Sequence, residues 1–187
     1  MPHPTRDGYG PSLDATAEAQ RRGCTRGVTV DCGITAVEPV ARASALGIDT
    51  VITDHHKPAA TLPAAVALVD PHREDCAYPF KALAGVGVTF KLAQALLEGR
   101  GGLERARALL DVVALGTIAD VVPLKGENRV LARLGLEALN RGERLGKAAD
   151  LIELDENRVR DVRLDAVAQD CRVGDEQVVA DELHALP

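Results

Sequence analysis

Tryptophan is absent from this 187-residue sequence, and only two Tyr and two Phe occur. A core without large rings must be assembled from Ala, Val, Leu and Ile, which suits helices packed on a buried parallel sheet. No apolar run reaches the roughly 18 residues that a membrane span requires. The opening MPHPTRDGYG has no apolar leader segment, and the two absences together point to a cytoplasmic protein. A basic excess is lacking as well: 22 Lys and Arg face 28 Asp and Glu, for a net charge of -6. That counts against a strongly basic nucleic-acid-binding face, although bound divalent cations invert the field of a site locally. Cys24, Cys32, Cys76 and Cys171 show no C-x-x-C spacing, so they read as reduced thiols rather than a disulfide framework or a zinc site.

What is present is a chain 46% hydrophobic, too apolar for a disordered protein and long enough to bury a core. The first dozen residues, punctuated by Gly and Pro, read as a loop. SLDATAEAQRRG (12–23) has the form of a helix capped by Ser12 and stopped by Gly23. GVTVDCG (27–33) predicts a buried strand, 36–46 a helix ended by Gly47, 50–53 a second strand and 66–69 a third. Strand and helix alternating at this pitch make βαβ units with parallel strands. Beyond them the pattern turns helical, at 85–97, 103–119 and 128–139. The fold class is therefore α/β, a parallel sheet flanked by helices, followed by a charged C-terminal helical segment over 141–187 that is too thinly apolar for a second compact domain.

Three acidic residues, Asp31, Asp54 and Asp70, fall at the carboxyl ends of the expected strands, where parallel sheets present side chains to ligands. Each alone is as readily a turn former or helix cap. The run Asp54-His55-His56 is more specific, because it sets two imidazoles and a carboxylate at one strand-to-loop junction. With Asp31 beside them, these donors suit Mn²⁺, Fe²⁺ or Zn²⁺ better than Ca²⁺. In GTIADVVP (116–123) a helix is expected to end near Asp120, a position that on its own reads as a helix terminus with a Pro stop.

Together VDCG, TDHH and GTIADVVPL, in this order, resemble the second, third and fourth motifs of the DHH phosphoesterase superfamily. VDPHREDCAYPFKALAGVGVTFKLAQAL between them, and RDGYG near the start, are similar to segments of RecJ-type single-strand-specific exonucleases. The likeness covers roughly 3–140, a partial DHH domain over 1–140. It implies a pair of Mn²⁺ or Mg²⁺ ions, with Asp31 bridging them and His55 and Asp120 as ligands. His56 would contact the phosphate or a carboxylate behind the ligands, and Asp54 would orient a histidine. It also implies 5′→3′ hydrolysis of single-stranded DNA or a short oligonucleotide by two-metal catalysis. Arg6, Tyr9, Gly85 and Gly87 are candidate substrate contacts: Tyr9 can stack on a base, and backbone N–H groups near the glycines can receive a phosphate. Lys57 and Arg73 are further phosphate candidates, and Cys32 reads as a small buried apolar residue.

The family's first motif, Asp-x-Asp-x-x-Gly, is absent, as are the later Gly-Gly-His domain and OB-fold. The expectation is an incomplete metal pair, with one ion or none held tightly, and an exposed apolar sheet edge. LNRGERLGKAADLIEL (139–154) resembles a later family stretch, as an internal deletion would leave it. Two alternatives stay open: a non-catalytic remnant that binds a partner, and a small-nucleotide phosphodiesterase or pyrophosphatase of the same superfamily. The oligomeric state is not legible.

Overall fold

The computed structural model describes residues 10–98 and 102–141. The expected helical segment over 142–187, Cys171 included, lies outside the described residues. Helix α1 (Leu13–Arg21) starts where Ser12 Oγ accepts the N–H of Ala15 at 3.1 Å, the N-cap that the sequence predicts. Strand β1 (Arg26–Val30), helix α2 (Val37–Ala45), β2 (Asp49–Thr53) and β3 (Ala67–Val69) follow. The strands form a parallel sheet in the order β1-β2-β3, with Val30 opposite Thr53 and Thr53 opposite Val69.

The sheet lies between two helical layers. Thr50 borders the groove formed by Val40 and Ala43 of α2. Thr53, three residues on and so on the opposite face, bonds to Thr89 of helix α3 (Gly85–Leu97) at 3.1 Å. Covered on both faces, β2 is buried from Thr50 to Thr53. Strand β1 is not the buried strand that its residues predict but the exposed apolar edge expected without the family's first motif, with Val28 and Val30 each 49% exposed. An apolar sequence signals β-propensity, but lateral position in the sheet decides burial.

Beyond the sheet, α3 packs with α4 (Gly102–Arg107), α5 (Leu110–Ala119) and α6 (Gly126–Asn140). The continuous helix expected over 103–119 is two helices, joined by a tight turn in which Leu109 N–H donates to Ala106 O at 2.9 Å. No Gly or Pro marks the break. The two pieces have different principal neighbours, α3 for α4 and α6 for α5, and that divergence bends the chain. Leu83, Val88, Phe90, Ala106, Leu110, Val113 and Leu131 form the core here. Gly135 permits the close contact of α5 with α6, because a Cβ there would collide with the Leu110 carbonyl.

Polar groups anchor α6 to the rest of the helical layer. Asn128, fully buried, donates to Ala82 O at 2.6 Å and to Pro123 O at 3.1 Å. Glu127 accepts from Tyr78 at 2.7 Å and pairs with Lys91 at 2.7 Å. No described helix is long and apolar enough to cross a membrane, and Cys24, Cys32 and Cys76 are free thiols.

Candidate metal centre

The ends of the three strands carry Asp31, Asp54 and Asp70 side by side, because the backbone ladder continues past the strands. Asp31 N–H donates to Thr53 O at 2.9 Å, and Asp54 N–H to Val69 O at 3.0 Å. After Val30 the chain turns sharply. Asp31 takes a left-handed conformation (φ 62°) and Gly33 follows at φ 110°, a value that favours Gly because it has no Cβ. The Thr29 hydroxyl ties the turn by donating to Cys32 O at 2.6 Å. Cys32 is half-buried rather than buried.

Asp54 organises the neighbouring loop. Its Oδ1 accepts the N–H groups of His55 at 2.8 Å and His56 at 3.1 Å, and lies 2.6 Å from His56 Nδ1. Its Oδ2 accepts Ile34 N–H at 2.9 Å and so couples the two loops. Although burial opposes ionisation, these hydrogen bonds together hold the Asp54 carboxyl below the usual range. The bond that His56 makes to Asp54 in turn raises the pKa of His56. With Nδ1 engaged, His56 has Nε2 left to face a ligand.

His55 points into the gap between loops. Its Nε2 lies 3.0 Å from Asp31 Oδ1 and 3.4 Å from Asp120 Oδ2. Asp120 is brought there as the C-cap of α5, and the next residue, Val121, turns away at φ 57°. Among the described residues, the two left-handed non-glycine ones thus sit at or beside the cluster, where strain of this kind is held only by surrounding structure. His56 also belongs: ligand atoms of Asp31, His55 and His56 all lie within 4.8 Å of one another.

The donor set fits a divalent cation. Asp31 Oδ1 and His55 Nε2 are buried and close, yet neither makes a hydrogen bond. Ligands about 2.1 Å from one ion and at right angles to each other stand about 3 Å apart, which matches the observed spacing. Burial foremost pushes the Asp31 carboxyl up from its ordinary range in the metal-free protein, as expected of an anion lacking its counter-charge. His55 Nε2 thus stands within 3.4 Å of both Asp31 and Asp120, with Asp54 bonded behind the histidines.

The other candidates are placed differently. Arg6 and Tyr9 lie outside the described residues. Gly87 is buried against Leu83 and Leu131, and Gly85 is buried against Asp31. Lys57 is exposed, while the Arg73 guanidinium bonds to Asp75 and to Leu68 O. Asp70 is 1% exposed, accepts His72 N–H at 2.8 Å through Oδ1, and leaves Oδ2 without a partner. Sequence reasoning missed the contact of Gly85 with Asp31 and the bond from Ile34 to Asp54. The Ala-Gly-Val-Gly run signals close packing but not its partner.

A family model described as the N-terminal domain of the DHH family matches residues 4–117. The chain is 50% identical over 154 residues to the single-stranded-DNA-specific exonuclease RecJ of Bacillus subtilis, covering 82% of this chain and 19% of that protein. Against RecJ of Escherichia coli it is 44% identical over 153 residues, or 76% and 26%. It therefore spans about a fifth to a quarter of the length of these curated relatives. A crystal structure of exonuclease RecJ bound to manganese superposes with TM-score 0.66 at 31% identity, covering 98% of this chain and 51% of the other. RecJ of Thermus thermophilus in complex with Mn²⁺ gives 0.57 at 36% identity, with 67% and 18% covered.

Proposed function

The chain belongs to the DHH family, and from that premise we propose that it is the metal-binding part of a RecJ-like exonuclease that hydrolyses single-stranded DNA. The observation that carries this reading is the convergence of His55 Nε2 on Asp31 and Asp120 without a hydrogen bond among them. Asp31, His55 and Asp120 would hold Mn²⁺, the metal of the similar RecJ structures, or Mg²⁺. When bound, the cation supplies an acidified water and positive charge opposite the phosphate.

The protein's own groups do the rest. Asp54 engages His56 Nδ1, so that Nε2 would be the atom to contact the scissile phosphate. The strapped turn after β1 and the helix cap at Asp120 each bring a carboxylate to His55 Nε2, at 3.0 and 3.4 Å. These residues supply ligands for one cation, and a second ion would take its remaining ligands from other residues. The net charge of -6 makes substrate binding depend on that cation, since an acidic surface repels a phosphate backbone.

Calorimetric titration of the full chain with Mn²⁺ tests this reading. One site is expected, with affinity reduced in His55→Ala by more than the roughly 10- to 100-fold that outer-shell changes cost. A 5′-labelled single strand should then be shortened in Mn²⁺ and left whole with chelator. Mn²⁺ binding with an uncut strand supports the non-catalytic alternative, and absence of Mn²⁺ binding overturns the metal-centre reading.

A further inference from the structure

Gly85 opens α3, and its missing side chain faces the Asp31 carboxylate. A Cβ built there would stand 2.7 Å from Asp31 Cβ, and closer still to the carboxyl carbon and Oδ1. Real Cβ atoms essentially never stand closer than 3.0 Å to such a neighbour, so any side chain at 85 must displace Asp31. Gly is a poor helix residue, and its presence in the first turn of α3 is explained by this contact. The oxygen pressed against Gly85 is Oδ1, the buried atom that faces His55 Nε2 at 3.0 Å and has no hydrogen bond. Gly85 therefore lets the helix start close over one side of the carboxylate while its other side stays turned to the histidine. Asp31 itself has a left-handed backbone (φ 62°), and Oδ1 is buried between Gly85 and His55.

We infer that Gly85 is a positioning residue for the metal centre, setting the place of Asp31 Oδ1 by steric contact instead of touching substrate. This rests on the proposed metal site. Asp31 is pinned by the helix start, whereas Asp54 is pinned by hydrogen bonds, so a single added methyl group disturbs one carboxylate and spares the other.

The test uses the full chain and its Gly85→Ala, Asp31→Gly and double variants, with Mn²⁺ titration by calorimetry and urea unfolding in chelator. Gly85→Ala should weaken Mn²⁺ binding roughly 10- to 100-fold, the range of an outer-shell change, with its far-UV circular dichroism unchanged. It should also lower the urea midpoint of the metal-free protein. In the Asp31→Gly background, where the obstructing side chain is gone, the same Ala should leave the midpoint unchanged or raise it. Undiminished Mn²⁺ binding by Gly85→Ala, or an equal loss of stability in both backgrounds, overturns this inference alone. Failure of the unaltered chain to bind Mn²⁺ overturns the metal reading and this inference with it.

Discussion

Asp31 and Asp54 follow Val30 and Thr53, residues paired in register on neighbouring parallel strands, yet the two loops they begin solve opposite problems. The loop after β2 satisfies its carboxylate completely, with three backbone N–H donors and an imidazole around Asp54. The loop after β1 leaves Asp31 Oδ1 buried and unpaired, on a strained backbone. One carboxyl is driven below its ordinary pKa and the other above it. The difference separates scaffold from site. A buried anion surrounded by donors holds two loops together, whereas a buried anion without them is a cost that a bound cation can offset.

The largest expected effect breaks the scaffold side. Asp54→Asn puts an amide where an acceptor is needed and strands buried N–H groups, so it should cost about 3 kcal/mol of stability, measured by urea unfolding in chelator. A loss within error of zero would remove Asp54 from its organising role.

Asp31→Asn should move the other way. The amide keeps the shape of the side chain, Asn tolerates a left-handed backbone, and its NH₂ can donate to His55 Nε2. Metal-free stability should rise by about 1 kcal/mol, while calorimetry shows Mn²⁺ binding lost. Equal destabilisation by the Asp31 and Asp54 substitutions would erase the contrast drawn between the loops.

The smallest effect concerns Asp70 at the end of β3, a third case between these two. One oxygen is bonded, the other is buried and unpaired, and burial raises its pKa above the ordinary 3.8. A raised carboxyl pKa means that the folded state penalises the anion. The penalty is absent below the unfolded pKa and complete above the folded one, so stability falls as pH rises between them. Asp70→Asn should therefore gain up to about 1 kcal/mol at pH 7, with the gain fading as the pH approaches 4. A gain independent of pH would show that ionisation of Asp70 is not its source.

Much of this was legible in the chain. Ser12 and Gly23 bracket a helix, β-branched runs mark the strands, and an Asp directly after each strand falls where a parallel sheet presents its ligands. Asp120 was legible as a helix end followed by Pro123. The exposure of Val28 and Val30 was legible only from the missing first motif, because an apolar strand by itself reads alike at the centre and at the edge of a sheet. The break at Leu109 was not legible, since it has no local breaker and follows from packing on two different helices.

The sequence by itself determined the inventory: which side chains carry charge, which segments prefer helix or strand, and that Asp54, His55 and His56 leave a strand together. Those properties are local and covalent. Only the tertiary structure decided which of the neighbouring aspartates would be saturated with hydrogen bonds and which left facing His55 from beneath Gly85. That choice depends on distances between residues 31, 54, 85 and 120, which meet only when the sheet and helices pack.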